Sequence, residues 1–165
     1  MVERPQVDKL GPAHDPSSFD CGSEPLNRFL KLHALQSQRA GISQTYVAAV
    51  GPEIAAYHTL VVGHVEHGEA PDRLVKGVPR HPVPVIVLAR LAVDRSWQGK
   101  GLGAALVVDA IRRVIQAAEI AGVRAMIVHA KDETARRFYE HLGFISSIDR
   151  PLTLYRLLKD IRAMK

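Results

Sequence analysis

The stretch Asp94-Arg95-Ser96-Trp97-Gln98-Gly99-Lys100-Gly101-Leu102-Gly103-Ala104 holds the residues best suited to chemistry. Gly99, Gly101 and Gly103 alternate along it, so the backbone can turn tightly and leave N–H groups uncovered. Where such a turn opens a helix, the unpaired amides and the positive end of the helix dipole together suit a phosphate. Lys100 and Arg95 add charge at the rim. The spacing points to a pyrophosphate ligand; the plainer alternative is a tight turn ahead of a helix. Walker A is excluded, because it requires four residues between its first glycine and Gly-Lys-Ser/Thr. A dinucleotide fingerprint also fits poorly, since it opens a chain's first βαβ unit and needs an acidic ribose partner about 20 residues on.

The elements that must carry this stretch follow from hydrophobic periodicity. Val83–Val93 is the longest apolar run, broken by Pro84 and Arg90, and reads as a central strand. Arg90 within it either pairs with a carboxylate or lines a cleft open to an acidic substrate. After the glycines, Val107, Ile111, Val114, Ile115 and Ala118 share one face, predicting a helix over 104–121 with Gly122 as its C-cap. A buried strand is expected over 123–129. Asp132 then N-caps a short helix with apolar positions Ala135, Phe138, Tyr139 and Leu142, closed by Gly143. Phe144, Ile145 and 152–158 supply the last strand material.

Upstream, residues 1–22 contain Pro5, Pro12 and Pro16 and read as an irregular lead-in or a first strand. Ser23-Glu24-Pro25 marks a helix start, with Leu26, Phe29, Leu30 and His33 on its apolar face and Gly41 at its end. Arg28, Lys31 and Arg39 lie opposite, as a solvated face or a phosphate-facing one. The runs 45–50 and 54–62 flank Gly51-Pro52-Glu53 and predict an antiparallel hairpin. Residues 63–82 read as a long irregular connection. Its His64-x-x-His67 and nearby glutamates lack the spacing of a metal site, so a surface loop is expected and no metal.

At 165 residues and 47% hydrophobic, the chain is expected to form one α/β domain over 1–165, with a sizeable core. No run reaches the roughly 20 apolar residues of a membrane span, and Met1-Val2-Glu3-Arg4-Pro5 lacks a signal-peptide apolar region. Cys21 is the sole cysteine, which excludes an internal disulfide and fits a reducing cytoplasm. The formal charge of +5 suits an acidic partner such as nucleic acid, or an ordinary basic surface.

Gln98-x-x-Gly101-x-Gly103 resembles the acetyl-CoA loop of the GCN5-related N-acetyltransferases (GNAT), whose pattern is Gln/Arg-x-x-Gly-x-Gly/Ala. One helix and one strand later, Asp132-x-x-Ala135-x-x-x-Tyr139-x-x-x-Gly143-Phe144 is similar to the second half of that signature. The resemblance implies a mixed sheet splayed between its fourth and fifth strands, with acetyl-CoA in the gap. It assigns the backbone of Leu91, Ala92 and Val93 to the acetyl and pantetheine groups. Gln98, Gly99, Lys100, Gly101, Leu102, Gly103 and Ala104 would hold the pyrophosphate, with Asp132 and Arg136 completing the set. Asp132 stands where the family usually has asparagine.

Longer stretches resemble the TacT/AtaT-like toxin branch of type II toxin–antitoxin modules. They are Phe19-Asp20-Cys21-Gly22 with Leu26-Asn27-x-Phe29-Leu30, Ala89 to Arg95, 117–123, and Pro151-Leu152-Thr153-Leu154. That branch acetylates the α-amino group of aminoacyl-tRNA, blocking translation. The resemblance implies a homodimer, a ribbon-helix-helix antitoxin as partner, and operator DNA reached through that antitoxin.

For acetyl transfer, Tyr139 is the candidate proton donor, since a phenol of pKa about 10 can protonate a thiolate whose conjugate acid lies near 8.5; alternatively it packs its helix. No glutamate or histidine stands out as a base. That suits an α-amine of pKa about 7.7–8.0, lower in an ester, better than a lysine near 10.4. Nothing in sequence marks Cys21 as a nucleophile, and His129 and His141 are more simply structural. Arg28, Lys31, Arg80, Arg90 and Arg137 are the candidate tRNA contacts. Two alternatives stand beside this reading: acetylation of a small amine, polyamine or protein N-terminus, and a binding or corepressor role without turnover.

Overall fold

The structure, a computed structural model, describes residues 4–163, so Met1, Val2 and Glu3 of the N-terminal pentapeptide lie outside the described residues. Seven strands form one sheet in the order β1-β2-β3-β4-β5-β7-β6. By contacts the chain divides into two compact units, with β3 and β4 contributing to both. The first takes the chain up to Val61 and Ala89–Ala110; the second takes Val62–Leu88 and the chain from Ile111.

In the first unit, β1 (Gln6–Lys9), β2 (Gln44–Val50) and β3 (Glu53–Val65) pair antiparallel, with a bulge between Ala48 and Ala49. The expected hairpin is therefore present, and the lead-in contains a strand. Side-chain alternation decides what each face receives. On one face Val47 opposes Tyr57, and these pack with Phe19, Phe29, Leu30 and Ala34. Tyr57 donates its hydroxyl to the Leu26 carbonyl at 2.7 Å, anchoring the helical segment above. On the other face Ala48 opposes Ala56, and their small side chains admit Leu106 of α4 (Leu102–Ala118). His58 is wholly buried on β3 and meets Asp109 of α4 at 2.9 Å, a second tie of that helix to the sheet.

The segment above the first face is α1 (Glu24–Arg28), a π-helical turn (Phe29–His33) and α2 (Ala34–Arg39). Ser23 occupies the N-cap position, but its hydroxyl caps nothing; its carbonyl accepts the Asn27 N–H at 2.9 Å. Within the π turn the Ala34 N–H bonds the Phe29 carbonyl, five residues back. This wider turn carries the buried stripe from Phe29 and Leu30 to Ala34 and leaves His33 exposed. The 3.6-residue reading that put His33 on the apolar face is thereby corrected.

In the second unit, β4 (Val83–Val93) runs parallel to β5 (Ala125–His129), in register from Val85↔Ala125 to Leu88↔Val128, where the pairing stops. A parallel pair that ends partway along β4 agrees with the splayed sheet implied above. β5 pairs antiparallel with β7 (Thr153–Leu157), and β7 with the two-residue edge strand β6 (Ile145–Ser146). Leu74, Val83, Val85, Ala125, Ile127, Tyr155 and Leu157 form the core there.

Four expectations change in detail. The connection 63–82 is not wholly irregular: β3 continues to Val65, followed by a 3-10 turn (His67–Glu69) and α3 (Asp72–Val75). Helix α4 ends at Ala118, where the Ala117 carbonyl takes the Ile120 and Ala121 N–H groups, and Gly122 lacks the positive φ of a C-cap. β5 starts at Ala125 rather than at 123. Leu158 begins α6 (Leu158–Ala163) instead of extending the last strand, burying Leu158 and Ile161 one turn apart.

Because Leu106 is fully buried against Ala48 and Ala56, Leu106→Ala should cost about 2–5 kcal/mol of stability, read by urea denaturation.

Candidate active site

In the first unit, β4 ends at Val93 and the chain passes through a 3-10 turn (Arg95–Trp97) and the glycines into α4. Gly99 and Gly101 adopt φ of +77° and +80°, the left-handed region that side chains avoid. The first amide to close a helical bond here is that of Ala105, on the Gly101 carbonyl at 3.1 Å. Among the described residues the N–H groups of Leu102, Gly103 and Ala104 meet no backbone acceptor. A turn of this shape, with the helix dipole behind it, suits an anion. Lys100 is exposed, its Nζ 5.2 Å from the centre of the Trp97 ring. Leu91, Ala92 and Val93 lie on β4 directly before the turn, Ala92 in one core cluster and Leu91 and Val93 against the other.

Gln98 is engaged differently from the other candidates. Its Nε2 donates to the Val93 carbonyl at 2.9 Å and to the Cys21 carbonyl at 3.1 Å. Both amide hydrogens are thus committed to the chain, so the side chain braces the loop.

The rest of the brace is a set of contacts among residues whose pairing the sequence reading did not anticipate. Asp94 accepts the Ser96 N–H (2.9 Å) and hydroxyl (2.7 Å) on one oxygen and the Asp20 N–H (2.9 Å) on the other. Its own N–H binds the Ala55 carbonyl at 2.8 Å, and the Arg95 N–H binds the Asp20 carbonyl at 2.8 Å. Arg95 also pairs with the Asp20 carboxylate at 3.5 Å. Burial tends to raise the Asp94 carboxyl, but the Asp20 amide and the two Ser96 donors outweigh it and hold it below its ordinary range. Asp20 is also held low, chiefly by the Gly22 N–H and then by the Asn27 amide. Asp-x-Ser at 94–96 was a visible turn signal; its partner at Asp20, 74 residues away, was not.

In the second unit, α5 (Glu133–His141) is capped by Asp132, whose carboxylate accepts the Ala135 N–H at 2.8 Å. Arg136 lies between Glu133 (3.1 Å) and Glu140 (3.3 Å) on the same helix. Tyr139 is buried, edge-on to Phe138 and Phe144, and burial pushes its phenol up to about 12. Its hydroxyl has no hydrogen-bond partner among the described residues. Tyr139 therefore keeps its proton through neutral pH and is suited to act as an acid.

Arg90, half-buried in the first unit, stacks its guanidinium on the Phe29 ring 3.6 Å from the centroid, so its charge is met by an aromatic face rather than a carboxylate. Arg28 and Lys31 are exposed in the same unit; Arg80 and Arg137 are exposed in the second. The Cys21 thiol contacts the Ser23 carbonyl at 3.6 Å. His129 meets the Thr153 hydroxyl at 3.1 Å, and His141 is exposed in the last turn of α5. Among the described residues no group of three or more His, Cys, Asp or Glu side chains could hold a metal, and no helix is long and apolar enough to cross a membrane.

Residues 41–146 match the acetyltransferase (GNAT) domain model. The chain belongs to the GNAT acetyltransferases. It is 42% identical over 156 residues to the tRNA-acetylating toxin of Mycobacterium tuberculosis (strain ATCC 25618 / H37Rv), covering 94% of this chain and 93% of that protein. Among solved structures, AtaT complexed with acetyl-methionyl-tRNAfMet superposes with a TM-score of 0.87 at 32% identity, over 96% of this GNAT chain and 98% of that one. An AtaT mutant with phenylalanine in place of a tyrosine, bound to the C-terminus of the antitoxin AtaR and acetyl-CoA, gives 0.81 at 31% identity, over 96% of each chain.

With the Asp20 and Asp94 carboxyls lowered in the folded state, their contribution is present above about pH 4 and lost as pH falls through the lowered values. Asp94→Asn should therefore be less stable than wild type at pH 7, and the gap should close below about pH 4, in urea denaturation at stepped pH.

Proposed function

We propose that this GNAT chain transfers acetyl from acetyl-CoA to the α-amino group of aminoacyl-tRNA and thereby inhibits translation as the toxin of a toxin–antitoxin pair. The observation that carries the reading is the glycine turn, whose free amides at Leu102, Gly103 and Ala104 suit the CoA pyrophosphate. The relatives support the acceptor: one is a tRNA-acetylating toxin, and another is solved with acetyl-methionyl-tRNAfMet. The net charge of +5 suits the same polyanion.

In this mechanism the turn fixes the cofactor's phosphates, and the β4 backbone at Leu91, Ala92 and Val93 orients the thioester. The substrate amine attacks the acetyl carbon, the C–S bond breaks, the Tyr139 hydroxyl gives its proton to the departing sulfur, and the proton lost by the acylated nitrogen restores the phenol. A phenol raised to about 12 by burial is a weak acid toward a thiolate near 8.5. The same loss of water also raises the thiolate's proton affinity and narrows that gap. The amine needs no dedicated base, because an aminoacyl ester amine is largely neutral near pH 8. Asp132, the cap of α5, and Arg136 within it complete the cofactor set, and Arg28, Lys31, Arg80, Arg90 and Arg137 take tRNA phosphates.

The reading extends to one acetyltransferase domain over 1–165, a cytoplasmic location shared with charged tRNA, and a homodimer. The antitoxin partner has a ribbon-helix-helix domain and carries the complex to operator DNA.

Tyr139→Phe should bind acetyl-CoA as wild type does, yet lose about a hundredfold or more in kcat, measured by CoA release with aminoacyl-tRNA. Gly101→Ala, forced to φ near +80°, should weaken acetyl-CoA binding about tenfold in calorimetry. Acetylation of aminoacyl-tRNA should fall steeply between 50 and 200 mM salt; a flat response would argue for a small uncharged acceptor.

A further inference from the structure

We propose that Asn27 is a positioning residue for the acetyl-CoA loop, acting through the Asp20-Cys21-Gly22 turn without touching the cofactor. The proposal rests on the acetyl-CoA reading above. Asn27 is 7% exposed on α1, an uncommon place for an amide. Its Oδ1 accepts the Cys21 N–H at 2.9 Å, and its Nδ2 donates to Asp20 Oδ1 at 3.0 Å. That same carboxylate oxygen accepts the Gly22 N–H at 2.9 Å. One planar group thus ties down two successive residues of the turn, supplying an acceptor and a donor at once.

The other side of this turn holds the loop. The Asp20 N–H reaches Asp94 Oδ2 (2.9 Å), the Asp20 carbonyl takes the Arg95 N–H (2.8 Å), and the Cys21 carbonyl takes Gln98 Nε2 (3.1 Å). Gly99 and Gly101 follow directly. Asn27 is not needed for its own helix: its N–H already bonds the Ser23 carbonyl, and asparagine is a poor helix former. Burying its amide is compensated by the turn it organises. The N-terminal motif Phe19-Asp20-Cys21-Gly22 with Asn27 therefore serves the cofactor loop from the far end of the sequence.

The test turns on the donor. Asn27→Asp keeps the size and the acceptor for Cys21, but sets a second carboxylate oxygen against Asp20 Oδ1, 3.0 Å away in the wild type. Arg95, 3.5 Å from Asp20 Oδ2, and Lys31 favour the charged Asp20 carboxylate, while the neighbouring Asp94 carboxylate opposes it. Near neutral pH the pair repels; as pH falls, a proton shared between the two oxygens restores the missing donor. Acetyl-CoA binding is measured by calorimetry at pH 7.5 and pH 5 for wild type, Asn27→Asp and Asp20→Ala.

The expected result is binding about five- to tenfold weaker in both variants at pH 7.5. For Asn27→Asp the deficit against wild type should shrink at pH 5, whereas for Asp20→Ala it should persist. At saturating acetyl-CoA, kcat should stay near wild type, the loss appearing in KM. Either variant binding like wild type at pH 7.5 overturns the proposal, as does an Asn27→Asp deficit that pH leaves unchanged. If Asn27→Asp does not fold, Asp20→Ala alone decides, since that side chain is 51% exposed. Wild type that fails to bind acetyl-CoA overturns the functional reading instead.

Discussion

An α-helix leaves the amides of its first turn without partners inside itself. Here that obligation falls on Leu102, Gly103 and Ala104, at the open end of α4, whose N–H groups meet no backbone acceptor among the described residues. The rest of the first unit is arranged around keeping those donors both free and fixed. Two alanines in register let Leu106 seat the helix on the sheet, and the buried His58 holds Asp109 one turn further along. Gly99 and Gly101 aim the chain into the helix by a path that other residues take only with strain.

Free donors are useful only if the loop that presents them does not relax onto them. Asp94 prevents this by taking three donors itself, from Ser96 and from Asp20. Its carboxyl remains ionised although partly buried, because charge-assisted hydrogen bonds to N–H groups outweigh the loss of water. Tyr139 shows the opposite balance: burial raises the phenol and preserves its proton. One environment keeps an acid charged, and the other keeps an acid neutral.

Much of this was legible from local pattern. The alternating glycines, the capping Asp132 and Tyr139 one turn before Gly143 lie within short stretches, where residue type and backbone geometry are directly coupled. The hairpin, the central strand and the alternation of α4, β5 and α5 after it were also readable, because their periodicity is strong. What escaped was long in range or subtle in phase. The bonds of Asp20 and Cys21 to Asp94 and Gln98 cross 74 to 77 residues, and that of His58 to Asp109 crosses 51. The π turn shifts the buried face by one position, which a 3.6-residue template cannot register. Helix α6 was masked because Leu157 and Leu158 continue the apolar run of β7, although Leu158 and Ile161 carry a helical spacing.

The engagement of Gln98 also bears on why the GNAT pattern accepts either glutamine or arginine at that place. The two side chains differ in charge and length but share N–H groups at their tips, and here those groups face the carbonyls of Val93 and Cys21. A position chosen for contact with phosphate would favour the cation; one chosen to bridge two main-chain oxygens is indifferent between them. Glutamate, nearly the same shape as glutamine, would oppose oxygen to oxygen and pry the strand end from the helix entrance. The tolerance of the motif thus reads as a rule about joinery in the scaffold.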